Sequence, residues 1–584
     1  MRVSADRGLR ATGLTIVSAA GVLVRGVDIA VEPGQTTAIV GESGSGKSLT
    51  ARALVGLVPA GVRVRGSLAL DGAAHDLAAD GPGTGRHWRR LRGEAISLLL
   101  QDPFTSLSPV HTIGRQIHGA LSLTRARVSA EDVATRLAEV GLGERVLRQY
   151  PHELSGGMRQ RVAIVLALAS DPAVLVADEP TTALDSITQS EILALIDRLR
   201  ASRRMGVLLI SHDLGVVADH AARVLVMSAG SIVERGAVAD VLAHPVHPYT
   251  RGLLAAAPHP GSRPYEGPPW LLDPGIVLPA GADFGSYADA ETLRSRPAPV
   301  LVPVGGRPGH EVGIHGAGAA VVVDAQTGVP TRASHAAPAA PVAGQEGGQA
   351  LLRVEGLVVH RGGREVLHGV DLDVPRGAIV GLVGQSGSGK TSLARAIVGL
   401  EEASAGSITW QATPDGRRGR VQMVFQDPAG TLNPALSIRR TLSEAIRAAR
   451  GAASVTPEVL LETVGLPAAL LSRRPAALSG GQRQRVAIAR AIATAPDLLV
   501  CDEPVSALDL SVQAQILALL ARLRDDAGHT LLFISHDLAV VAQLCDHVVV
   551  LNEGVVVESG PTSRVLTEPA DPYTRRLLAV STAI

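Results

Sequence analysis

Two pairs of adjacent carboxylates, Asp178-Glu179 and Asp502-Glu503, close apolar runs that lie 324 residues apart. Such runs read as parallel strands buried on both faces. Their C-terminal ends are where open α/β sheets bind ligands. The chain's only lysines, Lys47 and Lys390, belong to two glycine-rich stretches. One stretch is Gly41, Glu42, Ser43, Gly44, Ser45, Gly46, Lys47 and Ser48; the other is Gly384, Gln385, Ser386, Gly387, Ser388, Gly389, Lys390 and Thr391. Backbone N–H groups of such a loop wrap phosphates, the lysine reaches the outer phosphates, and Ser48 or Thr391 is a ligand for Mg²⁺. Of the 55 lysines and arginines, all others are arginine; lysine persists where a compact ammonium, not a planar fork, is needed. Two further sets recur: Gln101 and Gln426 after apolar runs, and His212 and His536 after VLLIS and LLFIS. Ser155-Gly156-Gly157 and Ser479-Gly480-Gly481 each open a helical pattern, where exposed N–H groups and the helix dipole favour an anion. The chemistry these residues suit is phosphoryl transfer from a nucleoside triphosphate, performed twice.

The elements that must position them follow from pattern. Each glycine-rich loop has an apolar strand before it (TTAIV, AIVGLV) and a helical segment after it, the context the motif requires. LSGGMRQRVAIVLALASDPAVLVADEPTTALD, from Leu154 to Asp185, reads as helix, Asp-Pro stop and strand. A second copy runs from Leu478 to Asp509. The interval from Lys47 to Gln101 exceeds that from Lys390 to Gln426 by 18 residues, which predicts a loop insertion around Gly81–Arg92. The segments after each glutamine, about 104–153 and 429–477, look helical with short breaks.

Bulk properties fit two packed domains. At 584 residues the chain exceeds one core, and 46% apolar composition is ample for two. A net charge of zero favours neither nucleic acid nor an anionic membrane as the main partner. MRVSADRGLR has no apolar signal core, and no apolar run reaches the 18 or so residues of a membrane span; a cytosolic protein is expected. Cys501 and Cys545 read as buried apolar filler. His244 and His247 have a spacing that metals use but no partner cluster, and read as loop. Residues 258–349 break the pattern, holding 14 of the 36 prolines. That stretch is expected to be an appendage and linker between domains at 1–257 and 350–584. A small strand-bearing part is expected at Trp270–Pro279 and a disordered tether from about Arg307 to Gln349.

Loop, glutamine, serine-glycine-glycine signature, Asp-Glu pair and histidine, in order and twice, resemble the ATP-binding cassette (ABC) ATPases. QDPFTSLSPVHTIGRQI and QDPAGTLNP after the glutamines, with HPYTRGLL and DPYTRRLL closing each half, are similar to the ATPases of oligopeptide, dipeptide and nickel importers. The resemblance implies two tandem P-loop ABC domains of α/β class, each a RecA-like core with an antiparallel β subdomain and a helical subdomain. It implies ATP and Mg²⁺ as cofactors and head-to-tail packing. One site would pair Lys47, Ser48, Gln101, Asp178, Glu179 and His212 with Ser479, Gly480 and Gly481. The other would pair Lys390, Thr391, Gln426, Asp502, Glu503 and His536 with Ser155, Gly156 and Gly157. Ser48, Gln101, Asp178 and their counterparts Thr391, Gln426 and Asp502 would hold the metal. Glu179 and Glu503 would polarise water, and His212 and His536 would contact the γ-phosphate.

Two departures from the family stand out. Where it stacks an aromatic on adenine, this chain has Val17 and His360, so stacking should be weak at the first site. The cysteine cluster that many relatives carry after the HPYT segment has no counterpart, since 258–349 contains no cysteine; an iron–sulfur site is not expected. The implied role is the energising subunit of a peptide importer at the cytoplasmic face of the membrane. Its partners would be two permease subunits and an extracytoplasmic substrate-binding protein, with Phe104 either the anchor for a permease helix or a local core residue. The alternative is a soluble tandem ABC protein acting on ribosomes or DNA. Such proteins usually carry charged helical linkers or zinc and coiled-coil insertions, unlike this Pro/Gly/Ala-rich linker.

Overall fold

The computed structural model describes residues 8–70, 73–77, 86–182, 184–258, 299–304, 307, 309–314, 350–411, 419–449, 455–506 and 508–581. The chain opens with β1 (Leu9–Ser18) and β2 (Gly21–Val31), an antiparallel pair. It then enters β3 (Thr36–Val40), in which every residue is buried. β4 (Arg63–Leu70) and β5 (Ala73–Asp76) return to β1, giving an antiparallel sheet ordered β2-β1-β4-β5. β6 (Ile96–Leu99), β7 (Val174–Asp178), β8 (Gly206–Ile210) and β9 (Arg223–Ser228) join β3 in a parallel core ordered β6-β7-β8-β3-β9. β7 and β8, like β3, are buried along their whole length, as expected of strands covered on both faces. β10 (Ser231–Ala237) pairs antiparallel with β9.

Beyond β10 the sheet gains two strands from the stretch expected to be linker, β11 (Val300–Pro303) and β12 (Glu311–Ile314). The first residues of the tether expected from about Arg307 are therefore strand, and its remainder to Gln349 lies outside the described residues. Val302, Val312 and Ile314 are buried, and Arg235 pairs with Glu311, so a short apolar hairpin found an open sheet edge to cover. The strand expected at Trp270–Pro279 lies outside the described residues. The insertion expected as a loop around Gly81–Arg92 contains a helix, Arg86–Glu94. Trp88 and Leu91, one turn apart, are buried. Arg92 donates to the carbonyls of Val55 and Gly56 at 3.1 and 3.3 Å, which fixes the helix against the end of Lys47–Leu54.

The second half repeats this plan. β13 (Ala350–Arg361) and β14 (Arg364–Pro375) pair antiparallel. Around the fully buried β15 (Ile379–Val383), the remaining strands are β16 (Ala405–Trp410), β17 (Val421–Val424), β18 (Leu498–Asp502), β19 (Thr530–Ser535), β20 (His547–Asn552) and β21 (Val555–Pro561). The sheets run β14-β13-β16 and β17-β18-β19-β15-β20-β21. Cys501 and Cys545 are free and buried, as filler should be. Between the glutamine and the signature, each half carries a helical subdomain. In the first half it comprises Ile113–Leu121 and Ala130–Glu139; in the second, Ile438–Ala448 and Pro457–Thr463. No helix among the described residues is long and apolar enough to cross a membrane.

Candidate ATP sites

Each glycine-rich loop leaves a central strand and turns into a helix whose N-cap glycine, Gly46 or Gly389, has φ of 108° or 105°, a conformation that suits glycine. A Cβ on Gly41 or Gly384 would lie 2.1 Å from the carbonyl oxygen of Met227 or Leu551, so only glycine lets the loop lie this close to the neighbouring strand. The lysines fold back onto their loops. Lys47 Nζ donates to the carbonyls of Gly41 and Glu42 at 2.7 and 2.8 Å; Lys390 Nζ donates to those of Gly384 and Gln385 at 2.7 Å each. Burial lowers the pKa of both ammonium groups, against the pull of nearby carboxylates.

The Asp-Glu pairs and their partners converge as expected. Ser48 Oγ donates to Asp178 Oδ1 at 2.9 Å, and Thr391 Oγ1 to Asp502 Oδ1 at 3.4 Å. Burial raises both aspartate pKa values, and the adjacent glutamate adds to the rise. Hydroxyl and carboxylate oxygens side by side form the hard donor set that Mg²⁺ prefers. Gln101 Nε2 donates to Glu179 Oε2 at 2.8 Å, and Gln426 Nε2 to Glu503 Oε2 at 2.8 Å. The histidines approach the same carboxylates: His212 Nδ1 lies 3.4 Å from Glu179 Oε2, and His536 Nδ1 lies 3.3 Å from Glu503 Oε1. Burial alone would push each glutamate up and each histidine down. The contact between them prevails, so the glutamates lie below and the histidines above their ordinary values. Glu179 and Glu503 sit at φ of 46° and 45°, a conformation that costs a non-glycine residue energy and is concentrated at functional positions.

The signature residues are placed differently. Ser155 and Ser479 cap the helices Gly156–Ala167 and Gly480–Ile492, accepting from the amides of Met158 and Gln482 at 3.3 Å each. Gly157 and Gly481 have a packing reason as well. A Cβ there would come within 2.6 Å of Thr188 and 2.3 Å of Val512, on the helices Ser186–Arg203 and Leu510–Asp525.

Across the two halves it is the segments after the Asp-Glu pairs that meet the opposite loops. Ser186 Oγ donates to the backbone carbonyl of His536 at 3.0 Å. Ser511, which acts on the buried Glu42 carboxyl, donates its Oγ hydrogen to Asp509 Oδ1 at 3.0 Å. Asp509 acts electrostatically on Lys47 and Asp185 on Lys390. A cleft of about 1020 Å³ opens between the halves, lined by Lys390, Thr391, Gln426, Glu503 and His536 on one side and by Asp185, Ser186 and His212 on the other. Among the described residues, its lining includes no signature serine or glycine. Each half thus assembles its own loop, aspartate, glutamate, glutamine and histidine, while the opposite signature stands outside the cleft.

Sequence reasoning passed over Asp185 and Asp509, and also Tyr249 and Tyr573 inside the HPYT and DPYT segments. Both pairs recur at the 324-residue offset of the Asp-Glu pairs, a signal that was available. His247, read as loop, is fully buried and caps the helix Pro248–Ala256, its Nδ1 accepting from Tyr249 N at 3.1 Å.

Comparison with known proteins agrees with this duplicated plan. Residues 24–182 and 367–506 match the ABC transporter family, and residues 233–268 and 557–584 match the oligopeptide/dipeptide transporter C-terminal region. The chain is 40% identical to the oligopeptide transport ATP-binding protein OppD of Mycobacterium bovis, over 95% of this chain and 94% of that protein. It is 38% identical to the glutathione import ATP-binding protein GsiA of Salmonella typhimurium, over 95% of this chain and 86% of that one. Among solved structures, an archaeal ribosome recycling factor, aABCE1, in complex with stalk protein aP1 aligns with a TM-score of 0.56 at 19% identity, covering 94% of this chain and 90% of that one. A structure titled RNase-L Inhibitor aligns at 0.57 and 18%, with the same coverage. At such identity the likeness is one of fold. With both cassettes and both C-terminal regions matched, the chain belongs to the ABC transporter ATPases of the oligopeptide/dipeptide kind, two cassettes in tandem.

Proposed function

We propose that the chain is the ATP-hydrolysing subunit of an importer for di- or oligopeptides, working through two composite ATP sites. The observation that carries this reading is the pair of oligopeptide/dipeptide transporter C-terminal regions, one ending each cassette. Near full-length similarity to proteins named for oligopeptide transport and glutathione import supports the same substrate class.

At each site the loop N–H groups and lysine bind the phosphates. Ser48 with Asp178, and Thr391 with Asp502, suit Mg²⁺, with Gln101 and Gln426 close by; the ion supplies charge neutralisation on the phosphates. Glu179 and Glu503, positioned by glutamine and histidine, orient water for attack, and His212 and His536 face the γ-phosphate. This is catalysis by positioning and electrostatics. ATP would draw Ser479-Gly480-Gly481 over the first site and Ser155-Gly156-Gly157 over the second, closing the cleft. Asp185, Asp509 and the Ser186–His536 contact already tie each half to the other's machinery.

Force then passes to two permease subunits supplied with substrate by an extracytoplasmic binding protein, and the chain sits peripherally at the cytoplasmic face. The Phe104 side chain, the expected permease anchor, lies outside the described residues. The test is uptake of a labelled oligopeptide by cells that carry either the native chain or Glu179→Gln/Glu503→Gln as the sole copy. Loss of uptake with normal protein levels is expected. Undiminished uptake with the double variant would refute the importer reading.

A further inference from the structure

The second residue of each phosphate loop has its amide held by a side chain from the far end of the same cassette. Glu42 N–H donates to Tyr249 Oη at 2.9 Å, and Gln385 N–H donates to Tyr573 Oη at 2.8 Å. Both tyrosine rings are buried, on the helices Pro248–Ala256 and Pro572–Ser581.

Each helix is placed by the same device built from different residues. In the first cassette the buried Glu234 carboxylate accepts from the amides of Val246 and His247 at 2.8 and 3.1 Å, and His247 caps Tyr249. In the second, Glu558 accepts from Ala570 and Asp571 at 2.8 and 3.1 Å, and Asp571 Oδ1 accepts from Tyr573 N at 2.7 Å. A carboxylate accepting two amides is a strong, directional anchor. That His247 and Asp571 perform one task at equivalent positions marks the tyrosine, not the cap, as the feature both halves preserve.

The amide in question lies between the two carbonyls that hold the lysine. Lys47 bonds Gly41 O and Glu42 O, and the peptide joining those residues carries the N–H bound by Tyr249. When phosphate draws the lysine away, those carbonyls lose their charged partner, and the tyrosine hydroxyl remains to keep that peptide in place. On its other side the loop is tied through Gly230 N–H to Ser45 O, and in the second cassette through Gly554 N–H to Ser388 O, both at 3.0 Å. The tyrosine helix also packs on the opposite cassette: Pro248–Ala256 against Leu510–Asp525, and Pro572–Ser581 against Ser186–Arg203. Leu510 packs against the apolar cluster that contains Tyr249, and Ile187 against the cluster that contains Tyr573.

We infer that Tyr249 and Tyr573 are positioning residues for ATP: each hydroxyl holds its phosphate loop in cradle form when the lysine leaves the loop carbonyls. The C-terminal helix thereby links nucleotide affinity to the interface between cassettes. This rests on ATP binding at the two phosphate loops. The test removes only the hydroxyls, with Tyr249→Phe/Tyr573→Phe in the full chain. Affinity is read by equilibrium titration with a fluorescent ATP analogue, and the fold by melting of the nucleotide-free chain. Loss of a neutral hydrogen bond should weaken binding about fivefold. The KM for ATP should rise in parallel, with kcat changed less than twofold and the melting profile kept. If the double variant is unstable, the single variants decide, each leaving one tight and one weakened site. Native affinity in the double variant, or two native sites in both single variants, would overturn the inference. A native chain that bound no ATP would instead refute the nucleotide reading beneath it.

Discussion

The two cassettes repeat the main contacts among their candidate site residues but not the scaffolds behind them. In the first, Arg136 bridges Glu139 and Asp171 at 3.3 and 2.6 Å, Arg203 reaches the same two carboxylates, and Arg125 joins Asp132 at 2.9 Å. This network ties the helical subdomain to the turn before β7 and the end of the helix Ser186–Arg203. At the equivalent positions the second cassette has Leu460, Thr463, Ala495 and Ala527, and no such network can form. The first cassette also carries the β11–β12 hairpin, whose His310 donates its Nε2 hydrogen to buried Glu234 at 2.7 Å. Among the described residues, Glu558, the counterpart of Glu234, has no such cover. Against these differences, the glutamine–glutamate, histidine–glutamate and tyrosine–amide contacts agree within about 0.1 Å between halves. The two halves thus share the contacts among their candidate site residues and differ in how those residues are braced.

The comparison breaks most visibly if the two sites do not contribute alike. Glu179→Gln and Glu503→Gln should each slow ATP turnover by about 10²-fold or more, the scale of losing an acid–base group, with ATP still bound. A steady-state assay in which one variant keeps native turnover would mark its site as degenerate. A smaller effect sharpens the difference at adenine. Val17, on β1, offers no π-face, whereas His360, held by Ser404 Oγ at 2.9 Å, does. Val17→Tyr, with the second site disabled by Lys390→Ala, should tighten ATP about fivefold, from roughly 1 kcal/mol of aromatic stacking. An unchanged Kd would remove the stacking argument.

Smaller again is the cost of the first cassette's network, whose carboxylates, Glu139 and Asp171, are partly solvent-exposed. Arg136→Leu, which installs the second cassette's residue, should cost about 1 kcal/mol. Hydrogen exchange should show the loosening at 113–139 and not at 438–463; equal loosening of both would contradict local bracing. The smallest effect is a pH dependence shared by both halves. The histidine pKa is raised, so its contribution to stability is complete below the ordinary 6.5 and fades as pH rises through the elevated value. The glutamate pKa is lowered, so its contribution is complete above 4.5 and fades as pH falls through the depressed value. The stability gap between the native chain and His212→Gln/His536→Gln should therefore be widest between 4.5 and 6.5. A gap that grew towards pH 9 would contradict the ion-pair assignment.

Much of this was legible in the sequence because the candidate catalytic residues sit at the ends of short, wholly apolar strands and each motif occurs twice. β3, β7 and β8 left little room for another reading, and the glutamine, aspartate, glutamate and histidine met where expected. What escaped depended on contacts distant in sequence. The helix Arg86–Glu94 is fixed by Trp88 and Arg92 against residues 55–56, and its arginine-rich surface resembles a loop. β11 and β12 are four residues each, too short to stand out in a proline-rich stretch, and they are strands because β10 presents an edge. Tyr249 looked like part of a family tag; its hydroxyl meets a loop 207 residues earlier, a pairing that only the fold reveals.

The central claim is that one chain holds two complete ATP sites. It is tested most directly by counting nucleotide trapped in Glu179→Gln/Glu503→Gln, in which water activation is lost and binding is kept. After incubation with labelled ATP and Mg²⁺ and rapid removal of free nucleotide, two unhydrolysed ATP molecules per chain are expected. A stoichiometry that saturates at one would contradict the claim.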